Sequence, residues 1–268
     1  MNYTEVLNIV KGIAIEAGKI ILEVYNSPDF EVELKSDRSP VTKADKLANE
    51  YIVENLKANF PEFGVLAEES KKDPSRLEKK YVWIVDPLDG TKEFIKRNGE
   101  FTVNIGLVED GIPKVGVVGV PAKKETYFAA CDLGAFYEDA QGIVTKIGCS
   151  TIDKIEEMTL VKSRSHASEQ LTNMLNDYHF KATKDSGSSI KICLIARGAA
   201  EVYFRFGPTN EWDVCAAHCV LNEAGGKMTK CSGDEITYNH EETLNTNGFI
   251  ASNNVLHQKF VEMALKYK

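Results

Sequence analysis

The sequence predicts an α+β lobe packed on a mixed α/β lobe, the first over residues 1–150 and the second over 151–268. Three observations carry this. Between 101 and 130, apolar runs of strand length are divided by the turn-forming strings Asp110-Gly111-Ile112-Pro113 and Pro121-Ala122-Lys123-Lys124, the pattern of an antiparallel meander. Near 145–154 the pattern changes, and short apolar runs begin to alternate with helical periodicity. A chain of 268 residues also buries enough surface to need no disulfide or metal as a staple.

Taken in order, residues 3–25 place Val6, Ile9, Val10, Ile13, Ala17, Ile20, Ile21 and Val24 at helical spacing, and Asn26-Ser27-Pro28-Asp29 ends the helix. Residues 30–34 alternate apolar with acidic, as a short strand does, and Ser36-Asp37-Arg38-Ser39-Pro40 is a polar loop. A second helix opens at Thr42, an N-cap with Asp45 three positions on, and carries Leu47, Ala48, Tyr51, Ile52 and Leu56 as its buried stripe. Val65-Leu66-Ala67 is a strand running into Glu68-Glu69-Ser70, and the charged segment 71–80 reads as a solvated loop or helix tip. A strand at 81–85 follows, then the meander strands 101–109, 114–120 and 125–130. Beyond the change of pattern come a strand at 159–161, helices at 168–178 and 189–197, a strand at 201–206 and a helix at 214–224 that Gly225-Gly226 stops. Residues 253–267 read as a closing helix.

Composition narrows the function. A formal charge of −8 excludes sequence-independent nucleic-acid binding, which needs a basic footprint. An acidic protein that handles phosphates needs cations between the like charges. The six cysteines form no C-x-x-C pair; Cys215 and Cys219 share a helix face, but two thiolates without further ligands make a poor zinc site, so packed free thiols are expected. With no signal peptide and no apolar run near the roughly 20 residues of a membrane span, the expected setting is soluble, reducing and cytoplasmic. Peripheral association with an inner membrane, and the oligomeric state, stay open.

The strongest chemical signal is Trp83-Ile84-Val85-Asp86-Pro87-Leu88-Asp89-Gly90-Thr91. A buried strand that ends on two carboxylates three residues apart suits a hard cation or proton transfer. Asp86, the Leu88 carbonyl and Asp89 are oxygen ligands of the kind Mg²⁺ takes, commonly bridging to substrate phosphate. Pro87 stiffens the turn and Gly90 lets the backbone approach a ligand. The plainer reading is a strand and an ordinary Asp-Gly turn. Glu68 ends its own strand, and Asp213 in Glu211-Trp212-Asp213 opens a helix, where the positive end of the dipole favours a carboxylate. Each alone is most simply a surface charge or a cap. Gly187-Ser188-Ser189 before Ile190-Lys191 reads as a helix N-terminus, an anion site or plain capping.

Asp-Pro-Leu-Asp-Gly-Thr resembles the metal-binding signature of the inositol monophosphatase superfamily of Mg²⁺-dependent, Li⁺-sensitive phosphatases. Pro40-Val41-Thr42-Lys43-Ala44-Asp45, Glu68-Glu69-Ser70, Gly187-Ser188-Ser189 and Trp212-Asp213 extend the resemblance over nearly the whole chain. The segments 92–105, Ser163-Arg164-Ser165-His166 and Arg205-Phe206-Gly207-Pro208-Thr209-Asn210 look like the 3'(2'),5'-bisphosphate nucleotidase branch. The resemblance implies a layered αβαβα sugar-phosphatase-like fold. It implies that Glu68, Asp86 and the Leu88 carbonyl hold one Mg²⁺, that Asp86, Asp89 and Asp213 hold a second, and that a third, weaker ion leans on Glu68. Thr91, hydrogen-bonded to Asp45, would position the attacking water, with Glu68 the third catalytic residue. Glu68, Leu88, Asp89, Asp213 and the backbone of Gly90 and Thr91 would meet the reacting phosphate. Ser188 and Lys191 are candidates for a second, unhydrolysed phosphate, Arg205 for that phosphate or the nucleotide, and His166 for the adenine or merely polar surface. The implied substrate is the small nucleotide adenosine 3',5'-bisphosphate, cleaved to AMP and phosphate, with 3'-phosphoadenylyl sulfate as a second candidate and sulfate assimilation as the setting. The rivals are an inositol monophosphatase-type sugar phosphatase and a non-catalytic nucleotide- or metal-binding module of the same fold.

Overall fold

Apolar periodicity, caps and tight turns build this chain into five layers, seen in a computed structural model that describes residues 1–28, 32–34, 40–164 and 168–267. Among the described residues the helices are α1 (Tyr3–Tyr25), α2 (Lys43–Asn59), α3 (Thr91–Ile95), α4 (Glu169–Asp177), α5 (Ile190–Ala196), α6 (Glu211–Glu223) and α7 (His257–Leu265). In α1 the expected stripe is buried at Val6, Val10, Ile13, Ala17, Ile21 and Val24 and half-buried at Ile9 and Ile20, and Asn2 caps the helix. In α2, Thr42 and Asp45 form the expected capping box. β1 (Glu33–Leu34) pairs antiparallel with β2 (Pro40–Val41), while 30–31 of the expected strand and 36–39 of the expected loop lie outside the described residues.

A seven-stranded sheet follows in chain order: β3 (Gly64–Ala67), β4 (Tyr81–Asp89), β5 (Thr102–Glu109), β6 (Ile112–Val120), β7 (Glu125–Ala130), β8 (Gly134–Glu138) and β9 (Val144–Ile147). Only the β3–β4 pair is parallel; the rest is the predicted meander, extended by two strands. The turn expected at 110–113 is tighter than its string suggested. Asp110 and Gly111 take φ of 50° and 77°, a two-residue hairpin turn, so Ile112 and Pro113 already pair with Glu109 and Val108.

Side chains of β4 alternate between the two faces of this sheet. Trp83 and Val85 join the core under α1 and α2, while Val82 and Ile84 join the core shared with α5 and α6. Helix α6 lies very close to the sheet. A Cβ on Gly106 would stand 2.8 Å from Cys215 Sγ, and one on Gly116 would stand 2.2 Å from the Ala216 carbonyl oxygen. Cys215 and Cys219 are therefore buried packing thiols, and none of the six cysteines is in a disulfide.

The second sheet contains β10 (Thr159–Ser163), β11 (Ala182–Ser186), β12 (Val202–Arg205), β14 (Lys227–Lys230) and β16 (Phe249–Ser252), while β13 (Thr209–Asn210) and β15 (Leu244–Asn245) form a separate ribbon. Its order is β11-β10-β12-β16-β14, with the first three parallel and β16 antiparallel to both neighbours. Val161, Tyr203 and Phe249 face α5 and α6; Leu160, Val202, Phe204 and Ile250 face α4 and α7. The layers are thus α1/α2, sheet, α5/α6, sheet, α4/α7. Helix α6 begins three residues before the predicted 214, because Asn210 and Asp213 make a second capping box.

Candidate active site

The site grows from the end of β4. Asp86 still pairs with Asn104, the register then shifts, and pairing resumes at Asp89 with Thr102. This bulge over Pro87 and Leu88 re-aims the strand end. Asp86 Oδ1 accepts from the Leu88 N–H at 3.0 Å, which folds the turn back on its own carboxylate. Gly90 follows at φ +94°, where a Cβ would stand 3.2 Å from the Glu100 carbonyl oxygen, so glycine suits the position twice over. Thr91 then opens α3, a five-residue helix that sequence periodicity is too short to show.

Three other elements bring their side chains to this end. The Glu68 N–H donates to the Val85 carbonyl at 3.1 Å, extending the parallel β3–β4 pairing and placing Glu68 beside Asp86. Asp45, in the first turn of α2, accepts from the Thr42 N–H and hydroxyl through Oδ2 at 2.7 and 2.5 Å, and from the Thr91 hydroxyl through Oδ1 at 3.2 Å. Thr91 Oγ1 also stands 3.5 Å from the Leu88 carbonyl oxygen. Asp213 accepts from the Asn210 N–H and the Thr209 hydroxyl, both at 2.9 Å, which turns its second oxygen free of the cap.

Burial and mutual repulsion raise the proton affinity of this cluster. Asp86 is held well above the usual carboxylate range by burial, then by Glu68, Asp89 and Asp213. Burial and the nearby Asp89 push Asp213 up to about 7. Asp89 is raised by burial against the opposing pull of Lys191 and of its bonds from Ser189. Asp45 is raised by burial, opposed by Thr42. Carboxylates that resist joint ionisation are the arrangement a cation relieves. The donors are all hard oxygens, which suits Mg²⁺ rather than zinc. Among the described residues no three His, Cys, Asp or Glu side chains converge on one point. Mg²⁺ does not require a cage preformed by the protein, since water and substrate phosphate complete its octahedral shell. The residues fit the ion.

Glu68, Asp89, Gly90, Thr91, Ser188, Lys191, Arg205 and Asp213 all line one cavity of about 430 Å³, and Asp45, Asp86 and Leu88 are buried behind them. Lys191, whose charge reaches Asp89, is buried, donates to the Ser188 carbonyl at 2.6 Å and lies 5.3 Å from the Tyr203 ring centre. Arg205 donates to the Pro208 carbonyl at 2.8 and 3.3 Å. Helix α5 is seven residues long, and the Ser189 N–H at its start donates to Asp89 Oδ2 at 2.7 Å. Cation charge, more than a helix terminus, marks this part of the cavity. His166 lies outside the described residues.

Two features have no counterpart among the sequence expectations. Ser189 touches both Asp89 and the Asp213 backbone. Glu100 takes a two-pronged pair from Arg164, at 3.0 Å on each prong, and the Gly187 N–H at 2.8 Å; burial works to raise its carboxyl, and these donors lower it. A Cβ on Gly187 would stand 2.7 Å from the Glu100 carbonyl oxygen. The segments around 100, 164 and 187 are thereby locked at the cavity wall.

A sequence model of the inositol monophosphatase family matches residues 2–267. The chain is 41% identical over 242 residues to the 3'(2'),5'-bisphosphate nucleotidase CysQ of Salmonella typhimurium, covering 88% of this chain and 95% of that protein. It is 40% identical over 251 residues to the protein of the same name from Escherichia coli K12, covering 92% and 99%. The solved structure of CysQ from Bacteroides thetaiotaomicron, a bacterial member of the inositol monophosphatase family, matches with a TM-score of 0.82 at 39% identity, over 94% of this chain and 98% of that one. An inositol monophosphatase from Anabaena matches with a TM-score of 0.81 at 25% identity, over 99% and 97%.

Proposed function

We infer the function from the premise that this chain belongs to the inositol monophosphatase family: it is a phosphoric monoester hydrolase, a Mg²⁺-dependent 3'(2'),5'-bisphosphate nucleotidase that converts adenosine 3',5'-bisphosphate to AMP and phosphate. The observation that carries this reading is one cavity lined by two chemically distinct sets of side chains, acidic and cationic. Asp89, Asp213 and Glu68 line it with Asp86 behind them, and Lys191 and Arg205 line it as well. A substrate with one phosphate to be cleaved and one to be kept suits that division. The relatives named for the same activity cover nearly the whole chain at about 40% identity.

Glu68, Asp86 and the Leu88 carbonyl would hold one Mg²⁺, Asp86, Asp89 and Asp213 a second, and Glu68 would contribute to a weaker third. Bound there, the ions supply charge stabilisation of the phosphoryl and leaving oxygens and acidify a water. The chain's own part is orientation. The Thr91 hydroxyl spends its proton on Asp45 Oδ1, so its lone pairs face the cavity and accept from the attacking water. The N–H groups of Gly90 and Thr91 would donate to phosphate oxygens. Lys191 and Arg205 supply positive charge for the retained 5'-phosphate, beside Ser188. Adenosine 3'-phosphate 5'-phosphosulfate, which carries the same kind of charge, is a second candidate substrate, and sulfate assimilation is the setting this reading implies; six cysteines outside any disulfide suit a reducing cytoplasm. Li⁺ is expected to inhibit.

The test is phosphate release from adenosine 3',5'-bisphosphate and from inositol 1-phosphate, side by side, in Mg²⁺ with and without Li⁺. Strong preference for the nucleotide, suppressed by Li⁺, is expected. Preference for the inositol phosphate keeps the cation site and rejects the assignment of Lys191 and Arg205.

A further inference from the structure

Ser189 stands where three elements of the site meet. It is 2% exposed and lies just before α5. Its N–H donates to Asp89 Oδ2, at the end of β4, at 2.7 Å. Its hydroxyl oxygen lies 2.6 Å from the Asp213 carbonyl oxygen, in the first turn of α6, and 3.2 Å from Asp89 Oδ2. The same oxygen accepts from the Asn104 side-chain amide, on β5, at 3.0 Å. A serine hydroxyl has one proton, and the short contact to the Asp213 carbonyl, which can only accept, takes it. One residue therefore grips Asp89 through its backbone and the helix bearing Asp213 through its side chain.

Asn104 supports this arrangement at a cost. It is 1% exposed, it pairs with Asp86 in the β4–β5 register, and its Oδ1 is buried without a hydrogen-bond partner. A buried unpaired amide oxygen is unfavourable, so the amide is explained by its donor end, which holds the Ser189 hydroxyl in place.

We propose that Ser189, held by Asn104, is a positioning residue that fixes the separation of Asp89 and Asp213 and thereby sets the affinity of the site for divalent cations. The proposal rests on the reading that Asp89 and Asp213 bind the cation. These two carboxylates sit on different elements and repel each other before an ion arrives. A brace between their elements keeps the ligands pre-set, so that binding need not reassemble them.

The test is a Mg²⁺ titration of the full chain by calorimetry, without substrate, on the wild type, Ser189→Ala, Asn104→Ala and Asp89→Asn. Ser189→Ala keeps the N–H to Asp89 and loses only the hydroxyl. Its Mg²⁺ affinity is expected to fall about tenfold or more, within the range of about 10–100-fold for residues that orient metal ligands. Turnover is expected to fall further at limiting than at saturating Mg²⁺. Asn104→Ala is expected to move the affinity in the same direction by less, and it decides the matter if Ser189→Ala does not fold. Wild-type affinity in the folded Ser189→Ala and Asn104→Ala variants, with binding lost in Asp89→Asn, overturns the role of Ser189 alone. Wild-type affinity in Asp89→Asn overturns the carboxylate reading and the proposal with it.

Discussion

Replacing Asp213 with Asn should stabilise the metal-free protein while destroying its response to Mg²⁺. Burial, then the Asp89 carboxylate, pushes the Asp213 carboxyl up to about 7 in the folded chain. A free Asp titrates near 3.9, and each pH unit separating the folded from the free titration is worth about 1.4 kcal/mol, so ionising Asp213 in the fold costs at most about 4 kcal/mol. Partial solvent access of this side chain reduces that to about 2 kcal/mol. The folded carboxyl keeps its proton to higher pH than the unfolded one. Metal-free wild type therefore loses stability as pH rises from about 4 to about 7, and carries the full penalty above 7. Asn carries no charge and can still accept the Asn210 N–H and the Thr209 hydroxyl. Thermal unfolding in EDTA at pH 8 should show the variant higher than wild type by roughly 4–8 °C, at about 2–4 °C per kcal/mol for a chain of this size. The gap should shrink at pH 5, and Mg²⁺ should raise the wild type but not the variant. An Asp213→Asn protein that is no more stable than wild type in EDTA at pH 8 would show that the cluster is not electrostatically strained.

Three further expectations are checked by simple assays. Thr91→Ala should lower kcat by about two orders of magnitude with little change in Mg²⁺-induced stabilisation, and Thr91→Ser should restore most of it, because only the hydroxyl bonded to Asp45 is at issue. Lys191→Ala should raise KM for adenosine 3',5'-bisphosphate by about 10- to 100-fold, the worth of a charge-assisted hydrogen bond of about 1.5–3 kcal/mol, and leave KM for adenosine 3'-monophosphate nearly unchanged; equal losses on both substrates count against a 5'-phosphate site. Gly116→Ala should lower the urea midpoint by the equivalent of about 3 kcal/mol or more, since the new methyl stands 2.2 Å from the Ala216 carbonyl oxygen and must displace α6.

Local signals were legible in the sequence, and long-range ones were not. The span of α1 and the Thr42–Asp45 cap of α2 follow from periodicity and spacing alone. Strand β4 reads as ending at Val85 because Asp-Pro breaks the apolar run, yet pairing continues through a bulge to Asp89. The start of α6 is hidden because its signal is the polar Asn210–Asp213 box rather than the first apolar residue. Strands β9 and β11 are largely exposed and polar, so they lack the alternation that marks a half-buried strand. In the site, the carboxylates cluster within short motifs or sit at element ends, where sequence can point to them. Ser189 meets Asp89 and Asn104 across sequence separations of 100 and 85, and Glu100 meets Arg164 across 64, so no local pattern announces either.

The cation site itself is best tested by crystallising the protein with Mn²⁺, AMP and phosphate and mapping anomalous scattering. Peaks at about 2.1 Å from oxygens of Asp86, Asp89 and Asp213, with the nucleotide phosphate beside Lys191, are expected. Anomalous peaks elsewhere in the cavity, or none at a Mn²⁺ concentration that supports turnover, would mean that these carboxylates serve some other purpose.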